Sequence, residues 1–239
     1  MLIKEIEALN KDKISKEKYL PKIYRKIAIY CVKILLYTPI TPNQISIFGI
    51  SLIFIAAIFF ARGDFWVSMA CVFLLYLSEI CDYIDGTLAR CKKMVTKLQG
   101  NLLESFGHEP LTALIVIGIA FGVYTNTNNI NYLFLGIFGG VSQLLTIYTL
   151  KSRDYLLLKH AKKVLSSDTA KTFIKTKMEK IILNIFVVPL VYYREIILIV
   201  ILFNKLDWLT IFYGIFLPIR SLLFFVWTYL NFKKLDKKI

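Results

Sequence analysis

Two short stretches hold the residues that could do chemistry. "CDYIDGTLAR", residues 81–90, sets Asp82 and Asp85 three apart, with Gly86 directly behind and Arg90 at the end. Residues three apart on a helix share a face, so two such carboxylates can grip one hard cation. Glu79, three residues earlier, extends the same polar stripe. "GNLLESFGHEP", residues 100–110, holds Glu104 and His108 four apart, again on one face. Three carboxylates and an imidazole brought together in apolar surroundings ask for one or two divalent ions. Glycine in a helix costs about 0.5–1 kcal/mol relative to alanine, so Gly86 and Gly100 point to something that must come close to the backbone. Ala89, one turn beyond Asp85, keeps that wall low. Arg90 is placed to bind an anion, and its fork of donors favours phosphate. Metal ligands, a close backbone and an arginine describe a pyrophosphate site.

The elements that must carry these groups are membrane helices. Hydrophobic residues make up 57% of the 239 and charged ones 19%. Apolar runs at 45–62, 66–89, 101–124, 131–150, 182–203 and 208–231 each approach the ~20 residues that span a bilayer. The fold class expected is an all-α integral membrane protein with six spans. "TPITPNQIS" breaks the chain before the first, and Thr41 or Asn43 can cap it. Of the Lys and Arg in segments between runs, twenty-six lie on one side and two, Arg62 and Lys205, on the other. That bias sets both termini and the active site toward the cytoplasm. Asp85 and Asp82 then lie roughly 8–12 Å inside the boundary near Arg90. A lipid-facing carboxylate there is penalised, so both face a polar cavity.

The N-terminal stretch has no apolar h-region or small-residue cleavage site, and reads as an amphipathic helix on the membrane surface. The organisation expected is a cytoplasmic juxtamembrane segment at 1–40, a six-helix domain at 41–232 and a basic tail at 233–239. The net charge of +14 is distributed between the apolar runs. It suits anionic head groups of a lipid bilayer and argues against nucleic acid. Cys31, Cys71, Cys81 and Cys91 lack metal-knuckle spacing and read as packing residues.

The stretch resembles the CDP-alcohol phosphotransferase family, whose signature runs D-x-x-D-G-x-x-A-R, eight residues, then G-x-x-x-D-x-x-x-D. Asp82, Asp85, Gly86, Ala89 and Arg90 match the first half in type and spacing. Gly100 follows after nine residues, Glu104 stands at the third aspartate and His108 at the fourth. The six spans, the amphipathic start and "TPNQIS" are also similar. The resemblance implies transfer of a substituted phosphate from a CDP-alcohol or CDP-lipid to an acceptor alcohol, with release of CMP. It implies two divalent ions, Mg²⁺ or Mn²⁺, held by Asp82, Asp85, Glu104 and His108, with His108 also the base. Gly86, Ala89, Arg90, Gly100 and Asn43 would then line the CDP site, and a homodimer is expected. His108 in place of a carboxylate removes one negative charge, which tolerates softer ions such as Mn²⁺.

Arg194, Glu195 and Arg220 interrupt the last two apolar runs. One reading pairs Glu195 with Arg220 across the two helices. Another assigns Arg153, Arg194 or Arg220 to a phosphate on the acceptor. Two other functions fit less well. A silent relative that binds CDP-lipid or serves as a partner subunit would not be expected to keep Asp82, Asp85 and Arg90. A metal-ion transporter would not need the full signature.

Overall fold

The turn at residues 38–41 fixes where the first span begins. Thr41 accepts a hydrogen bond from the Gln44 amide at 3.4 Å, and the Gln44 side chain accepts from the Thr41 amide at 2.8 Å. This reciprocal box with Pro42 behind it starts a helix with little loss of hydrogen bonding. Thr41 is the cap, and Asn43 lies inside the first turn.

The computed structural model describes residues 3–11, 14, 19–94, 97–159 and 192–236, and all its regular elements are helices. They are α1 (Ile3–Leu9), α2 (Tyr19–Leu35), α3 (Pro42–Phe60), α4 (Phe65–Lys92), α5 (Lys97–Thr127), α6 (Ile130–Lys159), α7 (Tyr193–Leu202) and α8 (Leu206–Asp236). Among the described residues, five segments are long and apolar enough to cross a membrane: α3, α4, Pro110–Thr127 of α5, Ile130–Leu157 of α6 and Leu206–Lys233 of α8. The chain is an all-α integral membrane protein. Of the expected fifth span, 182–203, residues 192–203 are described, and the rest lies outside the described residues with the connector before it. Two helices outrun their apolar cores. α6 continues to Lys159, so Arg153 is helical, and α8 continues through Asp236 into the basic tail.

Small residues let the spans approach closely, the usual device where lipid supplies no hydrophobic drive between helices. A Cβ at Gly118 would overlap the Ala57 carbonyl, and one at Gly122 the Phe60 carbonyl, so α3 and α5 lie backbone to backbone. Gly139 on α6 and Gly214 on α8 do the same for that pair. Phe60, Leu75, Ile115, Ile197 and Leu217 fill the core between spans. Phe54, Phe73, Phe134 and Phe225 point outward, where acyl chains would meet them.

The N-terminal helices dock on the protein. Ile6 of α1 and Ala28, Ile29 and Val32 of α2 are buried against Ile45, Leu52, Cys81, Ile84 and Leu88 of α3 and α4. Their outer side keeps Tyr30 and Ile34 exposed. Lys92 donates to the carbonyls of Thr38 and Ile40 at 2.7 and 2.8 Å, tying the end of α4 to the turn before α3. All four cysteines are free, with Cys71 and Cys81 buried, as packing residues should be.

Candidate active site

Helix α4 carries the first half of the motif on one face. Asp82 is exposed, while Asp85, Gly86, Ala89 and Arg90 are half-buried. The antiparallel neighbour α3 reaches them because Gly49 allows contact with Cys81, a Cβ there lying 3.1 Å from the Cys81 Cβ. One turn toward the cap, the Ser46 hydroxyl donates to Asp85 at 2.5 Å. Ser46 was not singled out from sequence. Its signal was the four-residue spacing from Pro42 in the helix start.

Helix α5 runs parallel to α3. Asn43 donates to the Gln99 side chain at 2.9 Å, and a Cβ on Gly107 would lie 3.0 Å from Ile50. Between these pairs, and opposite the Ser46–Asp85 and Gly49–Cys81 pairs, the backbone of Glu104 falls at the depth of Asp82 and Asp85. That of His108 lies about one turn deeper, beside Glu79. Both belong to α5, and their side chains lie outside the described part of the structure. Among the described residues, no three His, Cys, Asp or Glu side chains are grouped as a metal site.

The glycines divide into two kinds. Gly118, Gly122 and Gly139 are required by packing against a neighbouring backbone. Gly86 and Gly100 are not. A Cβ on Gly100 would meet nothing within 4 Å, and one on Gly86 would meet the Arg90 guanidinium at 3.6 Å, an ordinary contact. Among the described residues, no atom would clash with a side chain at either position. Gly86 lies on the face of α4 that carries Asp82 and Asp85.

Arg90 is held from two sides. Its Nε donates to Asn10 Oδ1 at 2.8 Å and its Nη2 to Thr87 Oγ1 at 3.3 Å. Arg25 of α2 also donates to Thr87, at 3.5 Å, and lies over the Tyr83 ring at 4.8 Å. Neither Asn10 nor Arg25 was anticipated. Each is a lone polar residue in a strongly charged segment, with no periodic signal.

The other intramembrane charges depart from expectation. Arg194 pairs with Glu79 at 2.6 Å, both largely buried. Glu79 therefore serves the bridge from α4 to α7 as well as the polar stripe. Arg220 donates to Gln143 at 2.8 Å, and Gln143 donates to Thr112 at 3.2 Å. The expected Glu195–Arg220 pair is corrected by these partners. Glu195 instead keeps one buried oxygen, and Arg194 its Nε, without a hydrogen-bond partner. Tyr24 of α2 lies close enough to feel this cluster. Burial pushes its hydroxyl above the usual tyrosine range, Glu195 and Glu79 add to the rise, and Arg194 opposes it. Arg153 is bound to Asp154 at 2.8 Å and lines a groove of about 820 Å³ between α6 and α8, none of whose lining residues belongs to α4. Of the three acceptor-phosphate arginines, the structure brings Arg194 to the signature helix and leaves Arg153 on this separate groove.

Residues 39–216, well over half of the chain, match the CDP-alcohol phosphatidyltransferase family. No curated protein matches the sequence. The chain belongs to the CDP-alcohol phosphatidyltransferase family, and the match starts after α1 and α2.

Proposed function

We propose that this family member is a membrane-embedded phosphotransferase that moves a substituted phosphate group from a CDP-alcohol to an acceptor alcohol and releases CMP. The observation that carries it is the face of α4. Asp82, Asp85, Gly86, Ala89 and Arg90 stand in signature spacing, and among the described residues no packing contact requires the glycine at 86.

The donor set suits a hard divalent cation. Asp82 and Asp85 supply carboxylate oxygens on one face, with the Ser46 hydroxyl holding Asp85. Glu104 would complete the set from α5, and the site would take Mg²⁺ or Mn²⁺, two ions in all, with the lone-pair nitrogen of His108 kept off the ions for its work as base. Such ions, when bound, neutralise the pyrophosphate and ease departure of CMP. The remaining work belongs to side chains. Arg90 binds a phosphate oxygen through its fork, and Gly86 and Gly100 let the nucleotide approach the backbone. Asn43, tethered to Gln99, would line the CDP site from α3. His108 takes the proton of the acceptor hydroxyl, whose oxygen attacks the phosphorus that stays with the transferred group. The bond from that phosphorus to the CMP oxygen breaks, and the proton remains on His108 until solvent removes it. Arg194, one turn from Asp82 through its bridge to Glu79, is the best placed of the three arginines for a phosphate on the acceptor.

The site opens to the cytoplasm, both termini lie on that side, and the protein works as a homodimer. The test is incubation of purified protein with a CDP-activated lipid, Mn²⁺ or Mg²⁺ and a panel of acceptor alcohols, reading CMP. Release that needs both the cation and an acceptor supports the reading. No release with any acceptor sinks it in favour of a binding protein without turnover.

A further inference from the structure

We infer that the N-terminal helices, which precede the family match, form part of the site, with Asn10 as a positioning residue for Arg90. The inference rests on the reading of Arg90 as a phosphate ligand. It begins with burial. Asn10 is 1% exposed, so its amide has to find partners inside the protein. Its Nδ2 donates to the Ile6 carbonyl at 2.7 Å, and its Oδ1 accepts from Arg90 Nε at 2.8 Å. One end of the amide is fixed to α1 and the other to the signature arginine. Thr87, with no exposure at all, accepts from Arg90 on the Nη2 side. The guanidinium is thus anchored along its Nε–Nη2 edge, and Nη1 lies over Gly86, 3.6 Å from where a Cβ would be.

The chemistry of the anchors matters. An arginine side chain carries about 2 kcal/mol of rotamer freedom, which a ligand must otherwise freeze on binding. Fixing it beforehand removes that cost. Asn10 and Thr87 are neutral acceptors, so these two contacts orient the guanidinium without cancelling its charge. An aspartate at position 10 could make the same contact and would cancel the charge. Arg25 adds a second cation at the same hydroxyl and is itself 6% exposed, which strengthens the positive potential where Arg90 is held.

The experiment uses the full chain in detergent with Mn²⁺ and measures CMP affinity by calorimetry and unfolding temperature, beside KM and kcat for a CDP-alcohol. Asn10→Leu should weaken CMP by about tenfold, the loss expected for one hydrogen bond to a charged group, and raise KM with kcat little changed. On an Arg90→Gln background the same substitution should change CMP affinity by less than about twofold, because the two residues act as one unit. Asn10→Asp should keep or raise the unfolding temperature while lowering CMP affinity, opposite signs that a purely structural role would not give. Should Asn10→Leu fail to fold, Thr87→Val is read in the same way. Unchanged CMP affinity in Asn10→Leu, or an equal loss with and without Arg90, overturns the positioning role and leaves the phosphotransferase intact. Wild-type protein that binds no CMP overturns both.

Discussion

Asp85 shares its face of α4 with Asp82 and takes a hydrogen bond from Ser46, and the proposed cation site rests on this pair of carboxylates. Asp85→Asn should therefore abolish cation-dependent CMP release and leave the unfolding temperature equal or higher, since repulsion with Asp82 goes with the ligand. Full activity in that variant would remove the cation assignment. His108→Ala should lose most turnover and keep CDP-alcohol binding, because His108 is not among the residues proposed to contact the nucleotide. His108→Asp, which restores the family's residue, should retain activity. Alanine as active as wild type would move the base to Glu104 or Glu79. Gly86→Ala isolates the cradle. The added methyl meets only the flexible end of Arg90, so the protein should fold normally while turnover falls by about tenfold or more, as small misplacements at reacting centres do. A fully active Gly86→Ala would show that nothing needs that space.

The helices make separate demands on stability. Gly118→Ala drives a methyl into the Ala57 carbonyl, and overpacking of this kind costs about 1–3 kcal/mol. The unfolding temperature should fall, and the protein that remains folded should keep its affinity for CMP. That is the reverse of Gly86→Ala, although both are glycine-to-alanine changes on spans. The Glu79–Arg194 bridge is a second such element. Glu79→Gln leaves a buried guanidinium without its charge partner, a change that typically costs about 3–5 kcal/mol. Stability unchanged in Glu79→Gln would mean that Arg194 finds another partner. The existence of the helices was legible from apolar run length and from the Thr41, Pro42 and Gln44 start. Their partners were less so. The signature face could be read because three-residue spacing puts Asp82 and Asp85 together on any helix. Arg194 and Glu79 are joined only by how α7 crosses α4, which no local pattern encodes, and the expected Glu195–Arg220 pair failed for that reason. Asn10 was hidden more deeply, since burial of one amide in a charged segment leaves no trace in hydropathy.

On the scale of the whole molecule, the balance of charge is what supports the proposed cytoplasmic site. Arg62 and Lys205 are the only Lys or Arg in the connectors on one side, while residues 1–40, 90–99, 151–180 and 232–239 hold twenty-six. Each cation near an anionic inner leaflet contributes about 1 kcal/mol of attraction, so the bias is far larger than any single substitution could reverse. The structure supplies two reporters of matched exposure for testing it. Met94, just after α4, is 44% exposed, and Ile130, at the start of α6, is 47% exposed. In a variant whose four native cysteines are replaced by alanine, Met94→Cys should react with a membrane-impermeant maleimide only once the cytoplasmic side is opened. Ile130→Cys should react from outside in intact cells. Because Met94 lies four residues beyond Arg90, its label also reports the side from which the nucleotide enters. Reaction of Met94→Cys from outside would invert the orientation. The donor would then have to be supplied on the outer face, and the cytoplasmic site would fall with the topology.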